Sequence, residues 1–450
     1  MPNCTEGFTS KPLEMGRLGR RVIEGRFDGG NMTSDAGVML LAALDRRLGL
    51  LDAAADCIAD PRDPEAITHS VRDMLRQRVY GLVQGWEDLN DHQQLRADVA
   101  YQTAVGRDDE LASAPTLCRL EKLGTRTAAL KLHEVLVDQF IASFKTAPKE
   151  LVLDFDATDS PLYGHQEDRF FHGYYDSYCY LPLYVFCGEQ LLCAYLRPSK
   201  IDGAQHAAAM LKLLVTRLRQ TWPQVKIIFR ADSGFCRQPI LNWCDRHSVQ
   251  YVVGLARNSR LHSQVADHES RMQVAYAQSQ TKQRAFLEFD YGAHTWKYTR
   301  RCVARLEYGP QGTNPRFVVT NIPLAERDAI SLYDDLYCQR GEAENRMALG
   351  QILKEAQLGL FATRTSCQYF NANQLRILLS ALAYTLVERL RALALQGTAL
   401  ASAQIATLRS KLLKLAAVIT RNTRRIRLYF ASHWPSAPIF QQALQVLNTS

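Results

Sequence analysis

Asp154 and Asp156 stand two residues apart in ELVLDFDAT, a segment that alternates as a strand does and ends in turn-formers. A period of two puts both carboxylates on one face, with Asp156 nearer the strand's C-terminal end, where open α/β sheets place their ligands. Asp232 ends a second, largely apolar strand, KIIFRA, and Ser233 and Gly234 behind it let the chain turn sharply. A carboxylate at the mouth of a buried strand is costly unless it binds a cation or accepts hydrogen bonds from the turn; taken singly, Asp232 is equally well explained as a cap. Glu344 follows Tyr337 and Arg340. A helix starting at Cys338 would set Arg340 and Glu344 on one face as i, i+4 neighbours, and taken singly they make a surface ion pair of little energetic worth. The rival acid, Glu342, is two positions off and faces roughly the opposite side. Taken together, three acids on two strand ends and one helix could converge on two hard, oxygen-seeking cations such as Mg²⁺. That is the chemistry of phosphoryl transfer, in which such ions activate a water or a 3′-hydroxyl and stabilise charge on phosphate.

The elements that must hold these acids follow from the patterning. After a basic, poorly structured lead-in (residues 1–25), residues 26–148 read as mainly helical and form a candidate DNA-binding domain. Its helices are expected at Gly37–Ala55, at His69–Leu82 and from about Ser113. The texture changes at Glu150. Strand signals at 150–157, 180–186 and 190–196, a helix at Ala204–Thr221, a strand at 226–231, a helix at Gln238–His247 and a strand at 251–256 give the element order of an RNase H-like α/β core spanning 149–256. Residues 257–336 read as a β-rich insertion, 337–370 as the second part of the core with the Glu-bearing helix, and 371–450 as a basic helical C-terminal region.

The chain has 450 residues, 47% hydrophobic and 22% charged, as ordinary globular proteins of several domains do. No apolar run is long enough for a membrane span or a signal peptide, so a cytoplasmic protein without a membrane partner is expected. The eleven cysteines are scattered, with no Cys-x-x-Cys pair, which argues against a disulfide framework or a zinc knuckle. The net charge of +8 is modest but unevenly placed: beyond position 355 the only acid is Glu388, against a run of cations that includes Arg421, Arg424, Arg425 and Arg427. Such one-sided charge calls for a polyanion, and these four arginines are candidate DNA-phosphate contacts. The polar cluster Trp86–His92 reads as a loop with capping residues. His165 and His172 lie near the first acid and are either DNA-orienting or ordinary loop residues; Tyr174, Tyr175, Tyr178 and Tyr180 could stack on bases or simply pack.

Tyr337, Arg340 and Glu344, Asp156 with Thr158, and Asp232 in FRADSGF carry a resemblance. The sequence resembles bacterial insertion-sequence transposases of the DDE class, in the branch with a Tyr-x-x-Arg-x-x-x-Glu signature and a β-rich insertion before the Glu. FDGGNMTSDAG at 27–37, GWEDLNDH at 85–92, LASAPTLCRLE at 111–121 and FFHGYYD at 170–176 look like the insertion-sequence thirteen-eighty group, and the likeness covers most of the chain. In that family's signature a Lys stands seven positions beyond the Glu, nearly two helical turns on. Here that position is Gln351, and Lys354 comes about one turn later.

The resemblance implies a transposase in which Asp156, Asp232 and Glu344 are the catalytic, metal-binding acids, with Mg²⁺ as the metal and Mn²⁺ as a substitute. Tyr337 and Arg340 would position the phosphate of the DNA end, with Lys354 a further DNA contact. It implies metal-dependent cleavage at the inverted-repeat ends of the element, 3′-hydroxyl strand transfer into target DNA, and a homodimer holding two ends. Two alternatives remain: a catalytically silent DNA-binding descendant, for which Gln351 is the hint, and a metal-dependent nuclease that cuts without joining.

Overall fold

The computed structural model describes residues 12–340 and 349–449. The chain divides into two compact units. One comprises the chain up to Ala55, Asp60–Leu120 and Leu386 onward; the other comprises Asp56–Ala59 and Glu121–Thr385.

The second unit is mixed α/β and is built on a nine-stranded mixed sheet. Its strands are β1 (Glu150–Ala157), β2 (Leu183–Cys187), β3 (Gln190–Tyr195), β4 (Lys226–Ala231), β5 (Gln250–Leu255), β6 (Gln283–Tyr291), β7 (Arg300–Gly309), β8 (Gly312–Thr313) and β9 (Arg316–Thr320). The order across the sheet is β6-β7-β9-β5-β4-β1-β2-β3, with the short β8 on β7. β4 runs parallel to both β1 and β5, and the other pairs are antiparallel. Strands with one apolar face alternate, whereas those covered on both faces read as continuous hydrophobic runs, which is why KIIFRA and QYVVGL look uniform in sequence. On one face Leu153, Phe155, Phe229 and Val253 pack under the helices Arg126–Ala142, Ala207–Thr221 and Gln238–Arg246. On the other face Val152, Ile228, Val252 and Val318 pack under a single π-type helical segment, Ser331–Tyr337, through Leu332, Tyr333 and Leu336.

The strands beyond residue 257 extend the same sheet, because β9 pairs with β5. They are also preceded by a helix, Ser259–Ser279, that buries only Leu261, Val265 and Met272.

In the first unit the helices Val38–Leu48, Val71–Gln84 and Val99–Val105, with most of Ala114–Lys122, occupy the region expected to be helical. The tail is not one continuous helical region. After the helix Phe370–Ala394 the chain forms a β-hairpin, Ala417–Arg421 with Ile426–Phe430, and ends in the helix Ala437–Asn448. The hairpin takes Met32–Thr33 as a third strand. The tail and the FDGGNMTSDAG segment therefore join in one unit. Ala36 N–H donates to the Leu415 carbonyl and Gly37 N–H to that of Leu413, at 3.0 and 3.1 Å. Gly37 is required there, since a Cβ would lie 2.4 Å from Leu413 Cα. Buried Asp35 accepts from Lys414 Nζ (2.5 Å) and from the Trp86 indole (3.2 Å), so two of the sequence motifs meet in one scaffold latch. The lead-in, expected to lack structure, forms an exposed hairpin, Leu13–Leu18 with Arg21–Gly25.

Candidate active site

β1 and β4 pair in register, Asp154 opposite Arg230 and Phe155 opposite Ala231. Continuing that register by one residue sets Asp156 beside Asp232, on neighbouring strands whose spacing is about 4.8 Å. Residues two apart on a strand share a face, so Asp156 and Asp232 continue the face of Val152 and Ile228, beyond the cover of the Ser331–Tyr337 segment's apolar side chains. The register of β5 against β4 brings Gly254 into the same row.

Asp154 and Asp156 therefore share a face but not an environment. Asp154 is 2% exposed, and the Arg230 guanidinium grips it through both carboxylate oxygens, Nη2 donating to Oδ2 at 2.6 Å. Arg230 also donates to the Leu336 carbonyl, which ties the residue just before Tyr337 to the two strands. A buried acid held by a guanidinium fork has its lone pairs occupied and its charge compensated. Asp156 lies at the strand's half-buried end. Asp232 is placed by its own turn: it precedes the short turn Ser233–Phe235, and its Oδ1 accepts from Gly234 N–H at 2.8 Å. The capping role open to Asp232 in the sequence is thus real, and it fixes the direction of a carboxylate that stands in the row of Asp156.

Gly254 makes space for the third element. A Cβ there would fall 2.6 Å from Tyr337 Oη and 2.8 Å from Ser233 N, so only glycine lets the phenol sit against the strand beside Asp232. The Tyr337 ring also packs on Tyr333, with centroids 5.4 Å apart. Between them opens a pocket of about 350 Å³ lined by Asp232, Tyr333, Tyr337, Arg257, Arg316 and Phe317 among others. Arg257, Arg316 and Gly254 escaped the reading of the sequence; the glycine within YVVGLA was the available signal, since glycine inside a strand marks a close approach.

A small three-stranded sheet, Ser160–Pro161, Phe170–His172 and Ser177–Tyr180, follows β1. Tyr175 lies between its strands, and its phenol is pushed up to about 12, by burial first and then by the charges of Asp159 and Asp156. His172 packs on Tyr175 at 5.0 Å, whereas Tyr174 and His165 are exposed and Tyr180 is buried with its hydroxyl on the Glu167 carbonyl.

Glu344, and with it the rival Glu342, lies outside the described residues, as do the side chains of Arg340 and Gln351. Lys354 ends the helix Leu349–Lys354 and is exposed. Arg421, Arg424, Arg425 and Arg427 sit on the β-hairpin of the other unit rather than on a helix. Among the described residues no group of three or more His, Cys, Asp or Glu side chains could hold a metal ion, and no helix is long and apolar enough to cross a membrane.

The family model "Transposase DDE domain group 1" matches residues 15–450. The chain belongs to that family. No curated protein sequence matches it. Among solved structures it is similar to the cryo-EM structure of the piggyBac transposase synaptic complex with hairpin DNA, at 11% identity and a TM-score of 0.43, covering 85% of this chain and 80% of that one. Membership of the family rests on the sequence match alone.

Proposed function

We propose that this protein is a polynucleotidyl transferase that cuts the inverted-repeat ends of an insertion sequence of the thirteen-eighty group and joins their 3′-hydroxyls to target DNA. Asp156, Asp232 and Glu344 are its metal-binding acids. One observation carries the reading: Asp156 and Asp232 stand in one row at the C-terminal ends of adjacent parallel strands, while the competing acid, Asp154, is occupied by Arg230. The strand order β3-β2-β1-β4-β5, with helices between β3, β4 and β5, supports an RNase H-like core. Fold analogy alone does not establish function, and the arrangement of the two acids is what supports this reading.

The donors suit a hard cation, being carboxylates with no thiol or imidazole in the row. Mg²⁺, or Mn²⁺ in its place, would be held by Asp156, Asp232 and Glu344, and when bound would supply Lewis-acid stabilisation of charge on the phosphate. The chain's own residues do the positioning. Asp232 is oriented by its cap, Tyr337 Oη is set over Gly254 to donate to a phosphate oxygen, and Arg257 and Arg316 line the pocket beside Asp232 that would receive the strand. In cleavage, water attacks phosphorus and the 3′-oxygen leaves with a proton; in joining, that 3′-hydroxyl attacks a target phosphodiester and displaces another 3′-oxygen. Bonds to phosphorus are exchanged one for one, so no nucleotide cofactor is needed. Arg340, Lys354, Arg424, Arg425 and Arg427 hold the DNA backbone, and a homodimer brings two ends together.

The test is incubation of the purified protein with a labelled element end and a supercoiled plasmid, with Mg²⁺ or with EDTA. Metal-dependent nicking and joined product are expected, both lost in Asp232→Asn with end binding retained. Full strand transfer by Asp232→Asn would overturn the assignment.

A further inference from the structure

The helical part of the first unit contains a second pocket, of about 360 Å³, lined by three cationic side chains, Arg62, Arg96 and Arg119, and by the imidazole of His69. The remaining polar lining is hydroxyl, from Thr68, Ser113 and Thr116, and no carboxylate lines it. Asp60 holds Arg62 and Glu110 holds Arg96 from outside the pocket wall, which fixes those guanidinium groups without placing an acid in the cavity. At roughly 30 Å³ of liquid per water, the space takes a hydrated tetrahedral anion with room to spare.

Three further features point to an anion. The helix Ala114–Lys122 begins at the pocket, with no acidic residue in its first turn to complement its positive end. The Ser113 and Thr116 hydroxyls, 3.0 Å apart, stand at that end. His69 has a buried Nδ1 without a hydrogen-bond partner among the described residues. Its pKa is pushed below the ordinary histidine value by burial and then by Arg107, with Arg96 and Arg62 adding to the effect and Asp73 opposing it. The local potential is therefore positive and only partly compensated.

We infer that this pocket binds a phosphate group, and, granting the proposed function, that the phosphate belongs to a DNA strand laid across the helical unit. A pocket built of guanidinium, imidazole and hydroxyl donors around a helix start recognises phosphate oxygens and reads no base.

Two substitutions test this without disturbing the fold. Arg119 is exposed on its helix, so Arg119→Gln removes a charge and little packing. Thr116 is the third residue of the helix after Ser113, so Thr116→Glu creates the Ser-x-x-Glu pattern of a capping box while placing a carboxylate in the cavity. Both variants and the full-length wild type are titrated with duplex DNA over a range of salt and, separately, with inorganic phosphate by calorimetry.

The expected result is weaker DNA binding by both variants, with the slope of log K against log salt falling by about one for Arg119→Gln, and loss of phosphate heat in both. Unchanged DNA binding with phosphate heat lost in both variants keeps the pocket and makes free phosphate its ligand. If the wild type binds no DNA, the proposed function fails while the phosphate titration still decides the pocket. Variants matching the wild type in both titrations overturn the inference.

Discussion

Arg230 closes on both carboxylate oxygens of Asp154 two residue pairs below the row in which Asp156 and Asp232 stand. Two acids on one strand face thereby become separable by experiment. Asp154→Ala would leave a buried, uncompensated guanidinium, and its expected cost is about 3–5 kcal/mol of unfolding free energy. Asp156→Asn keeps the size and shape of a side chain at the strand's half-buried end and is expected to cost about 1 kcal/mol, as a typical point substitution does, while abolishing cleavage. Denaturant unfolding of both variants, paired with the end-cleavage assay, checks this. An Asp154→Ala protein as stable as wild type would refute the structural role, and cleavage by Asp156→Asn would refute the catalytic one.

Gly254 and Tyr337 offer a steric test of the same region. A Cβ at 254 meets Tyr337 Oη at 2.6 Å, so Gly254→Ala must push the phenol away from Asp232. The expected penalty is about 1–3 kcal/mol in stability, as for other overpacked sites, with cleavage falling between roughly tenfold and a hundredfold through misplacement. Adding Tyr337→Phe removes the clashing oxygen. Ser233 N still lies 2.8 Å from that Cβ, so the double variant should regain part of the lost stability without regaining activity. Recovery of both would show that Tyr337 Oη does nothing for catalysis.

The places where the sequence was legible share a physical cause. β1, β4 and β5 have short, apolar, β-branched runs that end in turn-formers, so their existence and their terminal acids could be read directly. What bound Asp154 could not: Arg230 lies within a largely apolar run, and only strand register shows that it faces an acid 76 positions away. The helix Ser259–Ser279 buries three apolar residues in 21, too few to give a strong period beside the strand-like segments that follow. The C-terminal hairpin was hidden differently. Val418, Ile419 and Thr420 are β-branched and Asn422 turns the chain, but the charge run dominated the reading, and the strand Met32–Thr33 that completes the sheet is nearly the whole chain away.

That hairpin separates the four arginines. All four are exposed, but Arg421 also donates to the Asp108 carbonyl at 2.9 Å and lies 3.5 Å from its carboxylate. Substituting Arg424 and Arg425 with Gln should each lower the salt slope of DNA binding by about one. Arg421→Gln should leave the slope nearly unchanged. Fluorescence anisotropy at several salt concentrations reads the difference. Equal slopes for all three variants would mean that the hairpin does not discriminate among them and that its charge acts only at long range.

His92 gives a pH test independent of DNA. It is fully buried against Gly81, where a Cβ would fall 2.5 Å from its ring, and its Nε2 lies 3.2 Å from Arg78 Nη1. Burial first, and then the Arg78 charge, hold its pKa well below 6.5. The folded state therefore binds fewer protons than the unfolded chain below that value, and stability rises with pH there. Full stability is expected above the unfolded value of 6.5, falling as pH drops below it by up to about 1.4 kcal/mol per unit from this residue. In His92→Gln, whose amide oxygen can still accept from Arg78, that part of the slope should vanish. Urea unfolding at several pH values between 7.5 and 5 measures it, and a variant whose slope equals that of the wild type would show that His92 titrates freely in the folded protein.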